Sequence, residues 1–86
     1  MTEWRDVWTR AALKERDRIP LRQREKILTA LHLFCTTGKG DIETIKPFAG
    51  EYRLRVGEWR VRFALDAARA ELVVLHVLIR GGDYKD

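Results

Sequence analysis

The stretch EYRLRVGEWRVRF, residues 51–63, sets four arginines on either side of a Gly-Glu pair, each next to an apolar residue. A two-residue loop at Gly57-Glu58, with glycine first, fits a type II′ hairpin turn. That turn predicts the register: Val56 opposite Trp59, Arg55 opposite Arg60, Leu54 opposite Val61, Arg53 opposite Arg62 and Tyr52 opposite Phe63. Because strand side chains alternate, the apolar members fall on one side of the sheet and all four arginines on the other. Like charges directly across strands cost up to about 1 kcal/mol per pair, so two such pairs need an explanation. Either the arginines are a solvated face, leaning apart or pairing with Asp41, Glu43 or Glu51, or they are an anion site. Guanidinium forks suit the second reading, because they bind phosphate oxygens in a planar, bidentate way.

Outward from the hairpin, TEWRDVW (residues 2–8) reads as a strand with Trp4, Asp6 and Trp8 on one parity and Glu3, Arg5 and Val7 on the other. Thr9 is a good N-cap for a first helix over RAALKERDR, stopped by Pro20. Pro20 can occupy the first turn of a second helix running to about Thr37. Its Ile27, Leu28, Leu31, Phe34 and Cys35 form one apolar stripe, and Gly38 closes it as a C-cap glycine. The opposite face of the helical pair carries Arg16, Arg18, Arg22, Arg24 and Lys26 with Glu15, Asp17 and Glu25 interspersed, the pattern of a solvated face.

GKGDIETIKPFAG, residues 38–50, reads as a loop with a short strand or turn before Pro47. Strands over 52–56, 59–65 and 71–79 follow. LVVLHVLI, residues 72–79, is apolar on both parities, as in a strand covered on both faces. Its lone His76 reads as a satisfied core residue. Helices segregated from a run of strands predict an α+β fold: an N-terminal strand and a two-helix hairpin packed on a twisted antiparallel sheet, in the order β-α-α-β-β-β.

Eighty-six residues predict one domain, 1–86. A chain 45% hydrophobic and 35% charged has neither the composition of a disordered segment nor the long apolar run of a membrane span. The N-terminus lacks the pattern of a secretory signal, and the single Cys35 cannot form an internal disulfide, so the expected compartment is a reducing cytoplasm. A net charge of +4 favours a polyanion or an acidic protein as partner. No residues have metal-ligand spacing, and no cofactor is expected. An aromatic ring near a basic sheet face suits stacking on an unpaired base; Tyr84, four residues beyond Arg80 in RGGDYKD, is placed for that. DYKD also begins a common epitope tag, and the tail is read as native.

The segment IKPFAGEYRLRVGEWRVRF, the acid-containing turn after it, the apolar strand LVVLHVL and the Arg-x-x-x-Tyr ending together resemble the RelE/ParE superfamily of bacterial type II toxins. The resemblance covers nearly the whole chain. It implies the toxin of a toxin–antitoxin system, a ribosome-dependent mRNA endoribonuclease that inhibits translation by acting on mRNA in the ribosomal A site. It further implies a cognate antitoxin wrapped around the toxin, with operator DNA bound only through that antitoxin and no membrane. By position, it implies that Arg53 and Arg55 line the scissile phosphate and that Arg60 stabilises the pentavalent phosphorus. Arg80 matches the arginine ending the last strand, and Tyr84 the tyrosine that stacks on or orients the substrate nucleotide.

The implied chemistry is metal-independent: the ribose 2′-OH attacks phosphorus, giving a 2′,3′-cyclic phosphate and a free 5′-OH. Electrostatic stabilisation by preorganised cations would be its largest element. Where relatives carry lysine at Arg55, or a glutamate and histidine pair, this chain has no obvious equivalent, and Ile79 stands where a histidine often precedes the last arginine. Glu51 and Glu58 are the acids nearest the motif, both read as exposed and structural. The alternatives are a ParE-like gyrase poison that cleaves no RNA, and a weakened member that only binds antitoxin or RNA. Arg62 has no assigned role. Removing Arg60 is expected to leave the fold at least as stable while abolishing activity.

Overall fold

The structure, a computed structural model, describes residues 3–45 and 50–81. Its elements in chain order are β1 (Arg5–Trp8), α1 (Arg10–Asp17), α2 (Leu21–Thr37), β2 (Ile42–Thr44), β3 (Glu51–Val56), β4 (Trp59–Asp66) and β5 (Glu71–Ile79). The strands form one sheet in the order β1-β5-β4-β3-β2. The α+β architecture is as predicted, and of the two readings of the segment before Pro47 the strand is the one that forms: β2, an edge strand antiparallel to β3. One difference is that the N-terminal strand joins the sheet parallel to β5, so the sheet is mixed rather than wholly antiparallel. Parallel neighbours need a long crossover, and the helical pair lies within the connection that separates β1 from β5.

Local chemistry explains the helix boundaries. Thr9 has extended backbone and its hydroxyl accepts from the Ala12 N–H at 3.1 Å, capping α1. The same hydroxyl donates to the Leu75 carbonyl, so the cap also ties α1 to β5. At the far end of α1, the Arg24 Nη2 donates to the Ile19 and Asp17 carbonyls at 3.0 and 3.4 Å. Arg24 is thus half-buried and turned toward the helix junction, not part of a solvated row. α2 begins after Pro20, whose missing N–H costs nothing at a helix start, and ends at Gly38 with φ +78°.

The hairpin has the predicted register at all five pairs, extended by Glu51 opposite Ala64. Gly57 has φ +59° while Glu58 does not take a positive φ, which selects a type II′ turn over type I′. Ala12, Ile19, Ile27, Leu31 and Cys35 from the helical pair pack on Leu54, Val61, Phe63, Leu72, Val74 and Val77 from the sheet. Phe63 is fully buried, with ring centroids of Phe34 and Tyr52 at 5.4 and 5.6 Å. The helices therefore cover one face of the sheet, and the four arginines belong to the other.

One irregularity decides what lies on that other face. Arg62 pairs with His76 but Phe63 pairs with Val74, so Leu75 is an extra residue in β5. Such a bulge reverses the in–out parity beyond it. Leu72 and Val74 point to the core before the bulge, and Val77 does so after it. His76, which an uninterrupted alternation would set beside Val74 in the core, is instead carried to the arginine side. The expectation of a core histidine is overturned: its side chain is 42% exposed. Among the described residues, no helix is long and apolar enough to cross a membrane.

Candidate functional site

The pairings arrange the uncovered face in rows running across the strands. One row reads His76, Arg62, Arg53, Glu43 from β5 to β2; the next reads Leu78, Arg60, Arg55, with Asp41 beyond. Three of the four arginines hold carboxylates. Arg53 Nε donates to Glu43 at 2.9 Å, Arg55 makes two hydrogen bonds to Asp41 at 3.1 and 3.0 Å, and Arg62 Nη2 donates to Glu51 at 3.1 Å. The partners are the three acids that the solvated-face reading names. Pairing each cation with a carboxylate offsets the repulsion between Arg53 and Arg62 and between Arg55 and Arg60. Yet the face is not simply solvated, because Arg60 and Arg62 are each only 7% exposed.

Arg60 differs from its neighbours. Its Nη1 donates to the Gly57 and Trp59 carbonyls, both at 2.9 Å, while its buried Nε has no hydrogen-bond partner. Among the described residues it has no carboxylate partner. The guanidinium therefore braces the hairpin turn, and removing it strips two acceptors of their donor, a loss of about 1–3 kcal/mol. The expectation that the fold would be at least as stable without Arg60 does not survive this geometry. Arg80 lies at the same end: its N–H donates to the Glu58 carbonyl at 2.6 Å, its side chain is exposed, and among the described residues it too has no carboxylate partner. The structure thus brings Arg53, Arg55 and Arg60 to one face and sets the Arg80 backbone at the hairpin end; among the described residues neither Arg60 nor Arg80 has a carboxylate partner. Tyr84 lies outside the described residues, as do Lys46 to Ala49 of the quoted motif.

Sequence reasoning missed a pair on this face. The Glu15 carboxylate, from α1, contacts His76 Nδ1 at 3.1 Å and accepts the Val77 N–H at 2.8 Å. β1 covers β5 only as far as Val74, so the β5 edge beyond it would present an open N–H, and Glu15 satisfies it. No sequence pattern announces a contact across 61 residues that depends on a bulge. Glu58, by contrast, is an exposed turn residue, and Glu51 is committed to Arg62.

Cys35 supplies no nucleophile. Burial, and then the nearby Asp6 carboxylate, push its thiol up to about 11. Among the described residues, no group of three or more His, Cys, Asp or Glu side chains is placed to hold a metal ion. On the helix side of the hairpin end, Val56, Trp59, Ile79, Gln23 and Lys26 line an apolar cleft of about 300 Å³. Trp59 forms one wall, pinned by its indole N–H to Gln23 at 2.9 Å.

No protein-family model matches the chain, and no curated protein matches its sequence. Solved structures do. A chain of the RelB–RelE antitoxin–toxin complex from Methanococcus jannaschii superposes with a TM-score of 0.75 at 22% identity, over 91% of this chain and 94% of that one. The YoeB/ParE toxin from Agrobacterium tumefaciens gives 0.76 at 23% identity, over 88% and 98%. The isolated RelE toxin of E. coli gives 0.72 at 13% identity, over 90% and 84%. The fold is RelE-like. At these identities the likeness is one of backbone, so the residues on the RelE-like sheet must make the case for chemistry themselves.

Proposed function

We propose that this chain is the toxin of a type II toxin–antitoxin pair and that it cleaves mRNA on the ribosome without a metal. The observation that carries the reading is the uncompensated positive end of the sheet. Arg60 braces the hairpin turn, the Arg80 backbone is bonded to the same turn, and a half-exposed Arg55 lies opposite Arg60. A phosphate drawn there would meet the exposed Arg80 and the half-exposed Arg55, the latter held in place by Asp41, and positioned cations are what a phosphorus gaining negative charge needs. In the proposed step the 2′-oxygen forms a bond to phosphorus as the bond to the 5′-oxygen breaks, leaving a 2′,3′-cyclic phosphate. Arg53 is the contribution of the row that holds Arg62 and His76, and Tyr84 the proposed stacking ring. Fold likeness to chains of antitoxin–toxin complexes supports a protein antitoxin as partner; binding of operator DNA through that antitoxin is part of the proposal. The apolar cleft beside Trp59 is the proposed seat of an antitoxin helix.

The test is cleavage of mRNA on purified ribosomes, with Arg80→Ala as the diagnostic variant. Its exposed side chain makes no ion pair among the described residues, so its melting temperature should match wild type while cleavage falls about 100-fold or more. Wild-type protein that neither cuts mRNA on ribosomes nor arrests growth in cells lacking antitoxin refutes the proposal. A second reading follows from the pairing of Arg53, Arg55 and Arg62 with carboxylates: a chain that binds RNA or antitoxin without cutting. Growth arrest with DNA damage, persisting after Arg60→Ala plus Tyr84→Ala, would instead indicate a gyrase poison of the ParE kind.

A further inference from the structure

From the geometry we infer that Glu15 and His76 are the proton-transfer pair of this site, with His76 Nε2 the general base and Glu15 its positioning residue. The inference rests on the proposed RNA cleavage and names a group that the arginines cannot supply, since a guanidinium with a pKa above about 12 does not accept protons near neutrality.

Three features point the same way. The bulge at Leu75 turns His76 out of the core and into the arginine row, with Arg62 directly across and Arg60 two residues along the neighbouring strand. Arg62 is thus the guanidinium-bearing residue paired with His76, and Arg60 is its diagonal neighbour, a separation of about 7–8 Å in an antiparallel sheet. Next, Glu15 is not a mobile surface acid. Its Oε1 is fixed by the Val77 N–H, and its Oε2 faces His76 Nδ1. A carboxylate only accepts, so the neutral imidazole carries its proton on Nδ1 and presents a lone pair at Nε2. Among the described residues Nε2 has no hydrogen-bond partner, and the ring is 42% exposed. Finally, among the described residues, the charged groups facing His76 from its packed neighbours are Glu15 on α1 and Arg62 on β4. Arg62 is held by Glu51, so Glu15 is the carboxylate left to stabilise an imidazolium.

The step balances. Nε2 takes the proton of the 2′-OH as the bond from O2′ to phosphorus forms. The bond from phosphorus to O5′ breaks with its electron pair on O5′, which takes a proton from water. The hydroxide so formed removes the proton from Nε2, and Glu15 stabilises the imidazolium in between.

The experiment compares wild type, His76→Asn, His76→Gln and Glu15→Gln in mRNA cleavage on ribosomes as a function of pH. Histidine ¹⁵N shifts of the free protein are recorded alongside. Both His76 variants should lose about 100-fold or more in kcat and the acid limb of the profile, since a base must be deprotonated to act. Glu15→Gln retains an acceptor for the Val77 N–H. It should lower kcat with little change in KM, move the acid limb, and replace the single Nδ1–H tautomer by a mixture. An active wild type with unchanged rate and pH profile in both His76 variants overturns the inference and leaves the proposed function standing. A wild type that cuts nothing overturns the functional reading and the pair's role with it. Thermal melts of both His76 variants separate lost chemistry from lost fold: a variant melting as wild type and still inactive supports the assignment, and a loss of activity that tracks unfolding in both counts against it.

Discussion

The two faces of the β3–β4 hairpin are set by one alternation and one turn, yet they are built on different physics. On the helix side, Leu54, Val61 and Phe63 are buried against other apolar groups, and the stabilisation scales with area removed from water. Any apolar neighbour of fitting shape serves there. On the open side, Arg53, Arg55 and Arg62 each answer a particular acid, Glu43, Asp41 and Glu51. Two of those acids come from β2 or the residue before it, and the third opens β3. The first face tolerates substitution of kind; the second depends on which strand lies next door.

The largest effect should come from the apolar face. Phe63→Ala removes a fully buried ring that contacts Phe34 and Tyr52, and should cost about 3–5 kcal/mol in urea unfolding. A cost under about 1 kcal/mol would break the comparison, because it would mean that the hairpin's apolar side is not the core.

How far each face was legible follows from the same contrast. The register, the turn type, the N-cap at Thr9 and the C-cap at Gly38 are local properties, and the sequence carries them within a few residues. The helical stripe through Ile27, Leu31 and Cys35 is legible for the same reason. The parallel placement of β1 is not, because it is decided by the edge that β5 leaves open. His76 shows the limit most clearly. A period of two places it in the core, and one extra residue at Leu75 reverses that. Glu15 reads as one acid among interspersed surface charges until β5 brings an N–H and an imidazole to it. Arg60 reads as a repelling charge that the fold itself does not need until its two carbonyl acceptors are seen.

A middle-sized effect should separate the two kinds of ion pair on the open face. Glu51→Gln replaces one carboxylate partner of the buried Arg62 by a neutral acceptor. Breaking a buried pair from one side costs more than the pair itself is worth, because the remaining charge stays desolvated. Glu51 is itself partly exposed, which moderates the penalty, so a loss of about 1–3 kcal/mol is expected, little reduced by added salt.

The smallest effect should be Asp41→Asn. Arg55 meets Asp41 through two near-parallel hydrogen bonds at 3.1 and 3.0 Å, and Arg62 Nη2 donates to Glu51 at 3.1 Å. The Arg55 and Asp41 side chains are 46% and 56% exposed, however, and water competes for both partners. Exposed pairs of this kind contribute about 0–1 kcal/mol and weaken as salt is added. A double-mutant cycle on Asp41 and Arg55 should therefore give a smaller coupling than one on Glu51 and Arg62, with the gap widening in high salt. If the order is reversed, hydrogen-bond geometry outweighs burial on this face. Asp41, rather than Glu51, would then be the acid bound more tightly on this face.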